Sequence, residues 1–510
     1  MPDIILATIN AKWIHPSLAL RLLKANLGSL EDSCEILEFA LRQPLKEKTE
    51  PILAARPRIL GLSVSIWNHL ATLELLRALE EEWKKDERKN PDDIKQEAFQ
   101  KPLVVLGGPE VSWLPQEAEI FRHADYVIRG EGEESFRSLC YLLFYGTEGS
   151  ALPFSGTKLQ SGTAAFINRG DVTVNVNTIA SPYRLYTDED LQRKLVYVEA
   201  SRGCPFGCEF CLDSARCQDS ARCQDSVSRY EIQAVREFPL EPFLADMGNL
   251  IDRGARQFKF LDRTFNLDIE RAKKIMEFFL DRIYVLKTQV CVHFEMVPFR
   301  FPVTLREVLS RFPPGTLRLE VGIQTFRAQT AALIHRASKA GEEIETLEFL
   351  RRETNAIVHA DLIAGLPGED LASFGAGFDK LWQAISGASS GGLFEIQLGI
   401  LKCLPGTPIV RHNQTYGMRY SPEPPYEVIE TGAISAADLG RIKNFARFWE
   451  VIVNRNPFPD LIYRLLPPGK PVFDRFMILS DKLLQKFGRN WGIDRKELRS
   501  CFEEIIEDGY

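Results

Sequence analysis

The chain is expected to be an α/β protein: two successive strand–helix series followed by a helical tail. Three observations predict this. Over residues 1–146, five short apolar or β-branched runs alternate with amphipathic stretches, the mark of a doubly wound, mostly parallel, Rossmann-like sheet. A second series of six such runs fills 195–401, which suggests a partial (β/α)6 barrel of TIM type with its chemistry at the C-terminal strand ends. Beyond about residue 430 the pattern turns helical and rich in charge.

In the first series the strand-like runs are 4–9, 35–39, 59–66, 103–106 and 126–128. Helical patterns cover 16–30, 68–85, 116–123 and 133–145. The charged stretch 80–101 reads as a solvated loop or helix extension. Residues 165–176, centred on Asn168-Arg169-Gly170-Asp171, read as a β-hairpin within a polar connector. The second series has candidate strands at 195–200, 257–261, 290–296, 317–324, 358–364 and 394–401, and the tail has helical patterns at 436–454 and 475–487. The expected divisions are 1–149, 150–194, 195–410 and 411–510.

The 510 residues suffice for about three domains, each with its own core. Asp plus Glu (70) outnumber Lys plus Arg (63), for a formal charge of −7. That balance argues against a nucleic-acid partner, whose phosphates call for a basic surface. Residues 1–10 carry no basic n-region or small-residue cleavage site, so no signal peptide is expected. No apolar run approaches the ~18–20 residues that span a bilayer, so no membrane partner is expected. Ten cysteines are too few for a disulfide scaffold of this size, and a cytoplasmic protein with reduced thiols is expected.

Three of those cysteines are clustered. Cys204-Pro205-Phe206-Gly207-Cys208-Glu209-Phe210-Cys211 follows the first strand of the second series. Soft thiolates select zinc, copper or iron–sulfur. A structural zinc needs a fourth ligand, for which Cys217 or Cys223 is formally available. A three-thiolate loop suits a four-iron cluster with one iron open to an exogenous ligand, and packing of three small apolar side chains is the bland alternative. The C-x3-C-x2-C loop at this place in a six-unit β/α series resembles the radical S-adenosylmethionine superfamily. The resemblance implies that Cys204, Cys208 and Cys211 hold a [4Fe–4S] cluster whose open iron binds S-adenosylmethionine. Reductive cleavage then yields a 5′-deoxyadenosyl radical.

The same resemblance suggests binding residues for S-adenosylmethionine. Asp262 and Arg263 end the second strand, where the family has a glycine-rich turn that this chain lacks. Glu295, Glu320 and Gln324 lie at strand ends, suited to ribose hydroxyls or the ammonium, or else to rim charges satisfied locally. Asp361-Leu-Ile-Ala-Gly365-Leu-Pro367-Gly368-Glu369 resembles the fifth-strand element whose glycines admit the adenine; an ordinary strand-to-helix turn is the alternative.

In the first series, Gly107-Gly108-Pro109-Glu110 and Gly130-Glu131-Gly132 are strand-end glycine turns at which backbone amides can meet a bulky anionic ligand. Before a barrel of this kind they resemble the cobalamin-binding domain of the cobalamin-dependent subfamily, a likeness that covers roughly residues 1–405. The Asp-x-His-x-x-Gly cobalt-ligand motif is absent. His15 and His69 are loop histidines available to cobalt or to the loop itself, and Ser63 and Ser65 are candidates for the nucleotide tail.

Together these resemblances imply a cobalamin-dependent methyltransferase acting on an unactivated carbon of a small-molecule substrate, with a one-electron reductant such as flavodoxin or ferredoxin. Radical rearrangement or cyclisation on the same scaffold, and a non-catalytic iron–sulfur or zinc protein, are the alternatives. The tandem Asp213-Ser-Ala-Arg-Cys217-Gln, Asp219-Ser-Ala-Arg-Cys223-Gln reads as a local duplication that lengthens the loop behind the cluster.

Overall fold

A computed structural model describes residues 2–87, 101–146, 164–168, 173–215, 235–287, 289–387, 393–468 and 470–507. The chain divides into two compact units. One comprises residues 1–200, 216–231 and 236–257, the other residues 201–215, 232–235 and 258–510.

In the first unit, β1 (Ile4–Asn10), β2 (Cys34–Ala40), β3 (Ile59–Ser63), β4 (Leu103–Gly107), β5 (Tyr126–Arg129) and β6 (Ala165–Asn168) pair in the order β2-β1-β3-β4-β5-β6. Every pairing is parallel. All seven residues of β1 are buried because its side chains enter two cores. Ile5, Ala7 and Ile9 pack with Leu62, Leu106 and Val127 on one face; Ile4 and Leu6 pack with Val105, Ile128 and Phe136 on the other. A parallel sheet covered on both faces is what near-continuous apolar strands require. The strand order reverses between β1 and β3, so their C-terminal ends flank the crevice in which open α/β sheets bind ligands.

The hairpin expected over 165–176 is not formed. Ala165–Asn168 pairs in parallel with β5, Tyr126 opposite Ala165 and Arg129 opposite Asn168, and residues 173–176 carry no strand. The Asn-Arg-Gly sequence suggested a turn, but the apolar run before it is better buried as an edge strand of the large sheet. Residues 169–172, the charged 88–100 stretch and most of the tandem repeat, with Cys217 and Cys223, lie outside the described residues.

The six strands expected in the second series are all present. The first, β7 (Val196–Val198), falls in the first unit. In the second unit β8 (Gln257–Phe260), β9 (Cys291–Met296), β10 (Leu317–Gln324), β11 (Ile357–Ala364) and β12 (Leu393–Ile400) are successive neighbours, and the β9–β10, β10–β11 and β11–β12 pairs are parallel. Their burial alternates. In β10 the buried Leu317, Leu319, Val321 and Ile323 alternate with the less buried Arg318, Glu320, Gly322 and Gln324. The apolar face carries Phe258, Phe260 and Phe294, and Phe279 of helix Ile269–Leu286 packs edge-on against Phe258 and Phe260. The polar face is left for chemistry.

The tail builds helices Ala436–Trp449, Pro459–Leu465, Phe473–Phe487 and Arg495–Glu507. It shares an aromatic core with helix Leu371–Ile385, in which Phe378 lies 4.7 Å from Trp449 and Phe374 lies 5.8 Å from Phe473. Among the described residues no helix is long and apolar enough to cross a membrane.

Candidate active site

Cys204, Cys208 and Cys211 occupy one loop, with Cys208 the most buried. Cys211 N–H donates to Cys208 O at 3.0 Å, which folds the loop back between the second and third cysteines. Cys204 Sγ lies 3.6 Å from Thr264 Oγ1 and Cys211 Sγ lies 3.7 Å from Asp213 Oδ2. Burial raises both thiols above their ordinary range, Cys211 to about 12 with Asp213 as the next cause. Ionising them therefore calls for a bound cation, which is the logic of a metal-thiolate site. Among the described residues no three His, Cys, Asp or Glu side chains close on one point as a single-ion site requires. Thiolates bound to separate irons of a cluster need no such common point. Phe206 stacks edge-on against Phe299 at 5.8 Å and anchors the apolar side of the loop.

The polar strand face gathers most of the residues expected for S-adenosylmethionine. Glu295 is opposite Glu320 in the β9–β10 register, and Gly322 is opposite Asp361 in the β10–β11 register. Glu320 pairs with Lys259 Nζ at 3.2 Å, and His293 Nε2 lies 3.5 Å from it. Burial raises Glu295 to about 7, with Arg263 pulling the other way. Asp361 is held well above the usual carboxylate range, first by burial and then by Glu320 and Glu295, and its buried Oδ1 has no hydrogen-bond partner. Gln324 ends β10 with φ +71°. Asp262 is buried and accepts Ser201 Oγ at 2.6 Å, whereas Arg263 pairs with Asp213 at 3.0 Å and reaches toward Glu295 at 3.8 Å. Gly365 has φ +86°, and a Cβ there would lie 2.5 Å from Val428 Cγ1; only glycine fits between strand end and tail.

Arg336 was not expected from the sequence. Its guanidinium donates to Gly322 O and, through Nη1, to Cys208 Sγ at 3.7 Å, while its buried Nε is unpartnered. One cation thus touches both the cysteine loop and the polar face. It follows helix Ala328–Leu333 by three residues, a position no local motif marks. His293 and His359 also join this face, their rings stacked 5.7 Å apart, and burial lowers His293 to about 3, so it is neutral.

The cobalamin candidates lie at the C-terminal ends of β1, β3, β4 and β5. Gly108 takes φ +107°, and a Cβ there would stand 2.5 Å from Val64 O and 2.9 Å from Val64 N. The two strand-end loops are therefore in backbone contact. Val64 N–H donates to Gly107 O, and Glu110 N–H, one residue after Pro109, donates to Val64 O. Ser63 O accepts Thr8 Oγ1 at 3.1 Å, and Ser65 N–H donates to the buried Asn68 at 2.7 Å. Gly130 N–H donates to Ser112 Oγ at 3.2 Å, and Gly132 precedes helix Glu133–Tyr145, close against Leu23. Glu131 is engaged by Arg236 and by Val174 N–H. His15 Nδ1 meets Tyr197 Oη, and His69 Nδ1 meets the buried Glu110, both at 2.9 Å. Trp13 and Ile14, past the end of β1, and Trp67 and Leu70, past the end of β3, are exposed large apolar side chains. A glycine cradle with exposed apolar side chains at a strand-order reversal fits a flat, bulky cofactor.

Residues 4–140 match the family model of the B12 binding domain, and residues 414–498 match a protein family of unknown function, DUF4080. Residues 4–140 thus resemble a B12-binding domain, and the fold of the chain is like that of two solved S-adenosylmethionine radical enzymes. The radical S-adenosylmethionine methyltransferase TsrM from Kitasatospora setae, solved with tryptophan substrate and an S-adenosylmethionine analogue, superposes with TM-score 0.57 at 16% identity. The match covers 80% of this chain and 75% of that one. The cobalamin-dependent S-adenosylmethionine radical enzyme OxsB, solved with aqua-cobalamin and S-adenosylmethionine, gives TM-score 0.61 at 14% identity over 100% of this chain and 79% of the other. Among curated proteins, an uncharacterized methyltransferase of Pyrococcus horikoshii is 31% identical over 178 residues, 33% of this chain and 35% of that protein. One of Synechocystis is 31% identical over 120 residues, 24% of this chain and 19% of that protein. The chain thus spans about a third of the length of the first and a fifth of the second.

Proposed function

We propose that the protein is a cobalamin-dependent radical S-adenosylmethionine enzyme that methylates an unactivated carbon of a small molecule. One observation carries this reading: a three-thiol loop borders a polar strand face on which Arg336 Nε and Asp361 Oδ1 are buried without protein partners. Buried polar groups left unpaired cost about 1–3 kcal/mol each, so their persistence points to a ligand that satisfies them. When bound, a [4Fe–4S] cluster supplies the electron that cleaves S-adenosylmethionine to a 5′-deoxyadenosyl radical, and cobalamin carries the methyl group that is transferred.

The protein's own part is binding and orientation. Cys204, Cys208 and Cys211 hold the cluster. Arg336, touching Cys208, takes the methionine carboxylate, and Glu295 with Glu320 faces the ammonium. Asp361 and Gln324 bond the ribose hydroxyls, and Gly365 lets the adenine approach the backbone. Asp262 and Arg263 brace the end of β8 beside the cysteine loop. In the first unit, Gly107, Gly108, Pro109 and Glu110, with Gly130, Glu131 and Gly132, form the cobalamin cradle; Ser63 and Ser65 face its nucleotide tail. His15 and His69, each tied through Nδ1, are candidate cobalt ligands, the alternative being a lower face left to a water or an apolar side chain. The reductant is a small electron carrier such as flavodoxin or ferredoxin, and a reducing cytoplasm keeps the thiols free.

The test is anaerobic reconstitution with iron and sulfide, followed by dithionite and S-adenosylmethionine. Release of 5′-deoxyadenosine is expected, and a substrate 14 daltons lighter than its product should accumulate in cells lacking the gene. An intact cluster that releases no 5′-deoxyadenosine would sink the enzyme reading.

A further inference from the structure

Glu209 lies between two of the three cysteines and is fully buried. Its N–H donates to Ile334 O at 3.1 Å, and its C=O accepts Ile409 N–H at 3.0 Å. One carboxylate oxygen stands 2.7 Å from His335 Nδ1 and 2.5 Å from Arg411 Nη2. The other stands 2.7 Å from His412 Nε2 and 3.0 Å from Arg411 Nε. Two segments distant in sequence, the turn after helix Ala328–Leu333 and the short turn Pro408–His412, are therefore stitched to the cysteine loop at one residue.

The grip is built at a cost. His335 adopts φ +49° at the end of a Schellman turn, in which His335 N–H donates to Ala332 O and Arg336 N–H to Ala331 O. Glycine is the usual residue there, because a side chain in this region meets its own backbone. Such strain persists where the surroundings hold it in place, and here the imidazole bonds Glu209. The same turn delivers Arg336 to Cys208. A buried carboxylate with a two-toothed arginine and two imidazoles is unfavourable unless every partner is present. Mere loop packing would be served as well by an apolar residue.

We propose that Glu209 is a positioning residue: its carboxylate, gripped by His335, Arg411 and His412, presets Cys208 and Cys211 for the iron–sulfur cluster. This rests on reading the three thiols as cluster ligands. Partners that orient metal ligands typically matter by 10–100-fold in metal affinity.

The test uses the full chain, anaerobically reconstituted, as wild type, E209Q and R411A. E209Q keeps the shape and removes the charge. Arg411 is half exposed, and His335 and His412 still hold the carboxylate in R411A, so this variant gives a second readout even if E209Q fails to fold. Iron release to an external chelator should be about tenfold faster in both variants. The electron paramagnetic resonance signal of the reduced cluster should broaden and lose its response to added S-adenosylmethionine, a change that a general loss of stability would not produce. Wild-type release rates and spectra in R411A and in folded E209Q would overturn the proposal alone. A wild-type chain that takes up no iron would overturn the cluster reading and this one with it.

Discussion

Replacing Arg336 by methionine separates the charge of this residue from its place in the fold. Its guanidinium bonds Gly322 O and Cys208 Sγ while Nε stays buried and open, so a carboxylate gains a charge-assisted bond already aimed at it. Such a bond contributes about 1.5–3 kcal/mol, which is roughly 10- to 150-fold in Kd. R336M also leaves Gly322 O without its donor, a structural penalty unrelated to any ligand. The remedy is a thermodynamic cycle: wild type and R336M are each titrated with S-adenosylmethionine and with its decarboxylated analogue by equilibrium dialysis on the reconstituted protein. The structural penalty, and any bond from the carboxylate to iron, divide out of the ratio of ratios. Wild type should prefer the carboxylated ligand over the analogue by roughly 10- to 150-fold more than R336M does. If both proteins have the same preference, Arg336 does not hold the carboxylate.

Two further substitutions test other parts of the structure. G108A forces a Cβ to within 2.5 Å of the Val64 carbonyl, where both neighbours are backbone and neither can yield cheaply. G130A, at φ +80° with nothing within 4 Å, bears only the roughly 1–3 kcal/mol of an unfavourable backbone region. Calorimetry should place the melting of G108A several degrees below that of G130A, and cobalamin retention should fall in G108A; equal melting points would contradict the close approach of the two loops. Glu369 is raised from 4.5 to about 7 by burial, partly offset by the Thr325 hydroxyl. The unfolded chain therefore releases this proton near 4.5 while the folded chain keeps it to about 7. Stability should fall by roughly 3 kcal/mol as pH rises through that window and level off above it. In E369Q, urea midpoints compared at about pH 5 and about pH 8 should lose that part of the slope. An unchanged slope would mean that Glu369 titrates normally.

The parts of the site that were legible are those whose geometry is local. Three cysteines with three and two residues between them stay close in space whatever the rest of the chain does, because one glycine-bearing loop carries them all. The doubly wound sheet was legible for a related reason: Ile4–Asn10 is apolar at nearly every position, and only a strand buried on both faces tolerates that. The misread hairpin marks the limit of this approach. Asn168-Arg169-Gly170-Asp171 reports how tightly the chain can bend, but not that Ala165–Asn168 finds a better partner in a strand nearly 40 residues upstream. Arg336 and Glu209 were missed for the converse reason. Nothing around Arg336 marks it, since its role comes from the β10–β11 register and a left-handed histidine that aims it at Cys208. Glu209 stands inside the most informative motif, but its partners Arg411 and His412 come from some 200 residues away. Spacing can therefore mark three thiols as candidates for one cluster. The charges that hold those atoms in place are assembled by tertiary contacts, and a buried carboxylate between two cysteines is the one trace such an arrangement leaves in the sequence, since Glu is almost never fully buried unless paired.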